Sequence, residues 1–326
     1  MCKRILITGI TGFLGSNLAN VLSKFDYSPL IVGCARSKLR DYDAKKVNLD
    51  GRFIIHYGDI KDYHFIDSLI NKYEIEGIYH TASNAIVRTC DRSPIRCFES
   101  NIMGTINILE SARQNKTVKF VVICSSDKYY GQTKELPYFE DMCPNPSGIY
   151  ETSKTCADFI ARSYYKTYNL PTVVIRSANM FGGGDLNFSR IVPNSCRQIL
   201  VKNPPIIWSD VAEYKREFIY VNDVISAIIS LADAIHLTKG EAYNIGSGEV
   251  HKIKDFVSIL CKASGNKISP IFPKKEIYFQ EIPNQHLSIT KIEKTIGWTA
   301  KETKQNFYGC LKSTYNWYKN YFEDQR

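Results

Sequence analysis

The sequence predicts an α/β fold: a doubly wound parallel sheet with helices on both faces, followed by a smaller C-terminal lobe. Three observations carry this. Short apolar, β-rich segments alternate with helical spacing through the first half of the 326 residues. The first such segment runs directly into a glycine-rich turn that opens a helix. After Ala178 the alternation loses its rhythm.

Taken in order, Arg4–Thr8 reads as a buried strand and Leu14–Phe25 as a helix. Strands follow at Leu30–Cys34 and Phe53–Tyr57, then a helix at His64–Lys72. Gly77–His80 is a short strand, Phe98–Gln114 a helix and Phe120–Cys124 a strand. Ile149–Tyr168 is a helix and Thr172–Arg176 a strand. This pitch implies right-handed βαβ units. Gly182-Gly183-Gly184 and Asn203-Pro204-Pro205 mark loops. Tyr243-Asn244-Ile245 reads as one more sheet strand and Ile253–Ala263 as an amphipathic helix. No repeat or low-complexity tract interrupts the pattern.

Composition narrows the function classes. The net charge is +9, but the cations are scattered among acids and form no basic helix. An anionic small molecule and a solvated surface fit this better than nucleic acid. No apolar run approaches the roughly 18–20 residues of a membrane span. The apolar stretch after Met1-Cys2-Lys3-Arg4 is too short for a signal peptide, so the expected location is the cytoplasm. The 10 cysteines include no Cys-x-x-Cys, and Cys34, Cys124 and Cys156 sit in apolar segments. Free buried thiols are expected, rather than disulfides or a metal site.

Thr8 leads into Gly9-Ile10-Thr11-Gly12-Phe13-Leu14-Gly15. Gly9 permits a tight turn, Gly12 lets a pyrophosphate approach the backbone, and Gly15 allows close helix–strand packing. The helix-start amides then face the phosphates. The spacing is G-x-x-G-x-x-G, placed as a Rossmann-type dinucleotide site requires. At the end of the second strand stands Ala35-Arg36-Ser37-Lys38, with no acid for a ribose 2′-hydroxyl. A cation there suits the 2′-phosphate of NADP better than NAD; the alternative for Arg36 is a solvated loop. Asp59-Ile60, after the third strand, is placed to meet the adenine, unless Asp59 instead caps a helix.

Tyr150 and Lys154 lie four apart in one helix and so share a face. A lysine ammonium beside the phenol is expected to lower its pKa toward working pH. Ser126, at the end of the preceding strand, can bond the same substrate oxygen. Hydroxyl, phenol and ammonium together can move a hydride to or from a nicotinamide. The neighbouring Asp127-Lys128 adds an acid–base pair, hinting that a second bond is broken; a plain salt bridge between the two is the alternative.

With these motifs the chain resembles an extended short-chain dehydrogenase/reductase of the nucleotide-sugar epimerase/dehydratase branch, over nearly its whole length. His80-Thr81-Ala82-Ser83 resembles the segment under the nicotinamide ribose, with Ala82 at the cofactor, and Asn101 matches a structural asparagine. Arg176-Ser177-Ala178-Asn179-Met180-Phe181-Gly182 resembles the loop beside the sugar nucleotide. Arg216–Asp223 resembles the segment whose arginine meets the diphosphate, and Tyr243–Gly246 and Leu287–Trp298 are typical of the C-terminal lobe. The resemblance implies a dinucleotide-binding domain over residues 1–178, with a return near 219–246, and a substrate-binding lobe mainly over 179–326.

Asp-Lys after Ser126 resembles CDP-glucose 4,6-dehydratases and 5-inverting UDP-N-acetylglucosamine 4,6-dehydratases. Ile86-Val87-Arg88, Gly182–Asp185 and Arg190–Pro193 lean the same way. The resemblance therefore implies a 4,6-dehydratase acting on a nucleotide-diphosphate sugar. Ser126, Asp127, Lys128, Tyr150 and Lys154 are its catalytic candidates. Arg88, Asn179, Arg190 and Arg216 are the substrate contacts it implies, each with an ion pair in the lobe as the alternative. Near Gln280-Glu281-Ile282-Pro283 the chain departs from the family, where many members carry an arginine. Helices like Phe98–Gln114 and Ile149–Tyr168 form a dimer interface in relatives, implying a homodimer; the alternative is a monomer in which their apolar positions all face the sheet. A 4-epimerase or 4-dehydrogenase is the second reading, and a silent dinucleotide-binding sensor or scaffold the third.

Overall fold

The computed structural model describes residues 2–274 and 281–324; Met1 and Gln280, named above, lie outside them. The chain opens with β1 (Arg4–Thr8), α1 (Phe13–Leu22), β2 (Leu30–Ala35), α2 (Asp41–Lys46), β3 (Ile54–Tyr57), α3 (Tyr63–Lys72) and β4 (Gly77–His80). It continues with α4 (Val87–Arg92), α5 (Pro94–Phe98), α6 (Gly104–Gln114), β5 (Phe120–Ser126), α7 (Ile149–Tyr168) and β6 (Thr172–Ser177). Then come β7 (Asn179–Phe181), α8 (Ile191–Leu200), α9 (Ser209–Ala212), β8 (Lys215–Tyr220), α10 (Val221–Asp233) and α11 (Ile235–Thr238). The last elements are β9 (Ala242–Ile245), β10 (Val250–Lys252), α12 (Ile253–Ala263), β11 (Asn284–Gln285), α13 (Thr290–Ile296) and α14 (Lys301–Glu323).

Seven strands form one parallel sheet in the order β3-β2-β1-β4-β5-β6-β9. β6 is buried at every position and rich in β-branched residues, as a central strand covered on both faces must be. One face packs Leu18, Ile225, Ile228 and Leu231 against the sheet. The other packs Ile66, Ile70, Ile108 and Leu109. The strand order reverses between β1 and β4, where Thr8 lies beside His80. Crevices at the carboxyl ends of strands at such a switch point are where ligands bind in this architecture.

The C-terminal half builds a second sheet around β8. Its first half is flanked by antiparallel β10 and parallel β11, and its second half by parallel β7. Phe181, Phe218, Phe256 and Tyr318 belong to a separate core there. Glu217 ties the lobe together, its carboxylate accepting from the backbone N–H groups of Ser247, Gly248 and Leu287 at 2.6–2.7 Å.

Three expectations need correction. The helix predicted over Phe98–Gln114 is interrupted: Glu99–Met103 takes π-helical form between α5 and α6. The wider turn lets Asn101 reach across, bonding both backbone groups of Asn84 and the Ser153 hydroxyl. The second concerns the thiols. Cys90 and Cys97 form a disulfide, because the break between α4 and α5 at Ser93-Pro94 brings their Cα atoms within 5.1 Å. The other eight cysteines are free. The third is the capping option at Asp59. Asp62 caps α3, accepting from the Phe65 N–H at 3.1 Å, while Asp59 accepts from its neighbour Lys61.

Candidate active site

The glycine turn joins the end of β1 to α1. Gly9 has φ +70°, and a Cβ on it would sit 2.8 Å from the Ala82 Cα. A Cβ on Gly15 would lie 2.3 Å from the Gly9 carbonyl oxygen, so only glycine lets α1 start this close to the strand. Gly12 is the N-cap and adds no side-chain bond, leaving the first-turn amides of Phe13 and Leu14 without a capping side chain. These features fit a dinucleotide pyrophosphate.

A cleft of about 370 Å³ opens beside this turn, away from Tyr150, lined by Thr11, Lys38, Leu39, Phe53 and Tyr57 among others. Arg36 and Ser37 are exposed just past β2, while Lys38 pairs with Asp41 at 3.0 Å. Ile60 is buried beyond β3, and its carbonyl accepts from Asn107.

Thr8 fixes the opposite wall. Its hydroxyl bonds His80 Nδ1 at 2.8 Å and accepts from the Ala82 N–H at 3.2 Å. Thr105 closes on His80 Nε2. Burial pushes the His80 imidazole down to about 3, so it sits here neutral.

Ser126 ends β5, and its hydroxyl accepts from the Lys128 N–H at 3.2 Å, starting a single 3₁₀ turn over Asp127–Tyr130. The same hydroxyl donates to Asp127 Oδ1 at 3.0 Å. Burial raises the Asp127 carboxyl, which favours its protonated form; the Lys128 and Arg216 charges and the Ser126 bond oppose this. Tyr150, on the first turn of α7, is pushed up to about 12 by burial, partly offset by Ser126 beside it and by the Arg190 charge. Lys154, one turn on, is lowered to about 8 by burial and donates to the Cys124 carbonyl. The expected lowering of the phenol by this lysine is thus corrected. In this structure desolvation dominates Tyr150, and the ammonium is engaged with the backbone of β5.

The salt bridge considered between Asp127 and Lys128 does not form. Lys128 Nζ donates to Gln285 Oε1 at 3.0 Å and lies 3.9 Å from Glu281. Arg216 is buried, its guanidinium donating to the Lys215 and Pro283 carbonyls and lying 3.4 Å from Glu281. Glu281 thus stands between two cations in the stretch that departs from the family pattern. Arg190 pairs with Asp185 at 3.1 Å. Asn179 is exposed and donates to the Glu217 carbonyl, and Arg88 is exposed on α4. Arg176, in the motif matched to the sugar-nucleotide loop, is a framework residue instead. It is 1% exposed, makes a two-pronged bond to Asp158 on α7 and lies over the Tyr129 ring. Losing one partner of such a buried pair costs about 3–5 kcal/mol.

Sequence reading missed Gln285, 157 residues from Lys128 along the chain. No spacing rule reaches that far.

Residues 6–308 match the family model described as GDP-mannose 4,6 dehydratase. A Methanocaldococcus jannaschii protein provisionally named a UDP-glucose 4-epimerase is 28% identical over 97% of this chain and 98% of its own length. The CDP-glucose 4,6-dehydratase of Salmonella typhimurium is 29% identical over 67% of this chain and 66% of its own. Among solved structures, UDP-glucuronic acid 4-epimerase from Bacillus cereus, in complex with UDP-glucuronic acid and NAD, is 25% identical. It superposes with a TM-score of 0.86 over 97% of this chain and 99% of that one. The glycine turn at the switch point, the Ser126–Tyr150–Lys154 cluster and a match over most of its length make this chain a member of the GDP-mannose 4,6 dehydratase family, among NAD-dependent nucleotide-sugar dehydratases and epimerases.

Proposed function

We propose that the protein is a nucleotide-sugar 4,6-dehydratase, converting an NDP-hexose to an NDP-4-keto-6-deoxyhexose. The observation that carries this reading is the state of Asp127 and Lys128. The carboxyl is buried with its pKa raised, and the amine is turned toward Gln285 rather than paired with it. A salt bridge would leave neither group in the protonation state that elimination needs.

The turn Thr8–Gly15 is assigned to the dinucleotide pyrophosphate, Arg36 and Ser37 to the adenosine ribose end, and Asp59 and Ile60 to the adenine. Ala82, Tyr150 and Lys154 are assigned to the nicotinamide end. The bound dinucleotide supplies the hydride acceptor for C4 and the donor for C6. Tyr150 Oη takes the C4 hydroxyl proton as the phenolate, a state that requires the Lys154 ammonium to leave the Cys124 carbonyl and turn to the phenol, with Ser126 bonded to the same substrate oxygen. The C4 ketone acidifies the C5 proton, which Lys128 Nζ accepts in its neutral form. Asp127, protonated, gives its proton to the departing C6 hydroxyl, so one water leaves, and Lys128 returns a proton, exchanged with solvent, to C5 as hydride reaches C6. Arg190 and Arg216, whose charges act on Tyr150 and Asp127, are assigned to the diphosphate, with Asn179 and Arg88 at the rim. Exposed Arg36 and Ser37 favour NADP over NAD. A homodimer through α7 and the π-helical turn that leads into α6 is supported by exposed Met103 and Phe159, each over 45% accessible.

Incubation with CDP-, UDP-, GDP- and dTDP-hexoses in deuterated water tests the reaction. Net loss of one water with one deuterium at C5 is expected. A mass-neutral change of sugar configuration would replace this reading with an epimerase, which the Methanocaldococcus relative favours.

A further inference from the structure

Gln285 lies on β11, paired in register with Arg216 on β8, and only 1% of it is exposed. Its Oε1 accepts from Lys128 Nζ. The Nε2 of Gln285 is buried and has no hydrogen-bond partner among the described residues. A lone buried amide donor costs stability, about 1–3 kcal/mol, and a leucine or methionine would avoid that cost. Packing alone therefore gives no reason for glutamine here; contact with Lys128 does.

We infer that Gln285 is a positioning residue: its carboxamide oxygen holds the Lys128 amine on the β11 side of the cleft, apart from the adjacent Asp127 carboxyl. Among the described residues, the acids beside this amine are Asp127 on its own turn and Glu281 at 3.9 Å before β11. Arg216 and Glu217 face the cluster from β8, Glu217 held by three backbone amides. An amine released from Gln285 can fold onto Asp127, form the salt bridge and draw off its proton. The inference rests on the dehydratase reading for its catalytic consequence, but the contact itself is testable without turnover.

The test compares wild type with Gln285→Met, which keeps chain length and removes the amide, and with Gln285→Asn. Lys128 is acetylated with acetic anhydride across a pH series, and its extent is read by peptide mass spectrometry. In Gln285→Met the amine, paired with Asp127 instead of the carboxamide, should be acetylated about tenfold more slowly than in wild type at the same pH. The melting temperature should stay within a few degrees of wild type. In deuterated water, kcat for water loss should fall about 10²-fold with KM little changed. Cofactor reduction should persist. Gln285→Asn should recover part of both effects. An unchanged Lys128 profile, or wild-type kcat in Gln285→Met, overturns the inference. If wild type itself loses no water from any sugar, the dehydratase reading fails and the Lys128 profile still decides the contact.

Discussion

Asp127 and Lys128 are adjacent in the chain yet face different partners: the carboxyl accepts from Ser126, and the amine donates to Gln285. The 3₁₀ turn that follows β5 separates the two side chains. This arrangement leaves a buried acid close enough to Tyr150 for its charge to act on the phenol, with an amine on the next residue, and the first prediction follows from it.

Asp127→Asn and Lys128→Met should each lower water loss by at least about 10²-fold, the usual weight of one general acid or base. Both variants should still reduce bound cofactor on adding the sugar nucleotide, because Tyr150, Ser126 and Lys154 remain. Single-turnover absorbance of the reduced nicotinamide separates the two steps. Loss of cofactor reduction in both variants would place the pair in the oxidation step instead.

Cofactor choice turns on Arg36. Its replacement by Ala should weaken NADP binding about tenfold, the loss of one charge-assisted contact, and leave NAD binding near its wild-type value. Calorimetric titration of the protein freed of nucleotide measures both. Equal effects on the two nucleotides would reject the assignment.

Stability should fall in mild acid because of His80. Its folded value is about 3 against an ordinary 6.5, so between these pH values the unfolded chain binds the extra proton. The contribution is complete above pH 6.5 and is lost as pH falls toward 3, with a slope of at most about 1.4 kcal/mol per unit. Glu76, held down to about 2 chiefly by its bond to Lys119, adds its own loss only below 4.5. In the window from 6.5 to 4.5 His286, also lowered by burial, contributes with the same sign, so the difference between wild type and a His80 variant is what reports the His80 share. Melting temperature in that window should be flatter for His80→Gln than for wild type; parallel curves would show that the imidazole does not titrate on unfolding.

Thiol titration of denatured, unreduced protein should find eight free cysteines, rising to ten after reduction. Cys97→Ser should cost about 2–3 kcal/mol, as expected for a short cross-linked loop, provided the wild-type disulfide is intact. A count of ten before reduction would show that the pair is open in solution.

What the sequence determined by itself was local. Helix periodicity placed α7 and α12 at their observed ends, and apolar runs placed β1 and β4. Gly9–Gly15 and the Tyr150/Lys154 spacing were legible because a turn and one helix face are set by residues a few positions apart. Only the tertiary structure decided what depends on distant partners. Burial raised Tyr150 and Asp127 and lowered Lys154, and a residue's desolvation is fixed by what packs over it. Arg176 opens the motif matched to the sugar-nucleotide loop, and only the fold shows its partner, the buried Asp158 on another element. The Cys90–Cys97 link depends on a helix break, and the Lys128–Gln285 contact on β11 joining β8. Spacing along the chain carries no record of such pairings, because sheet register and lobe packing bring them together only in the folded molecule.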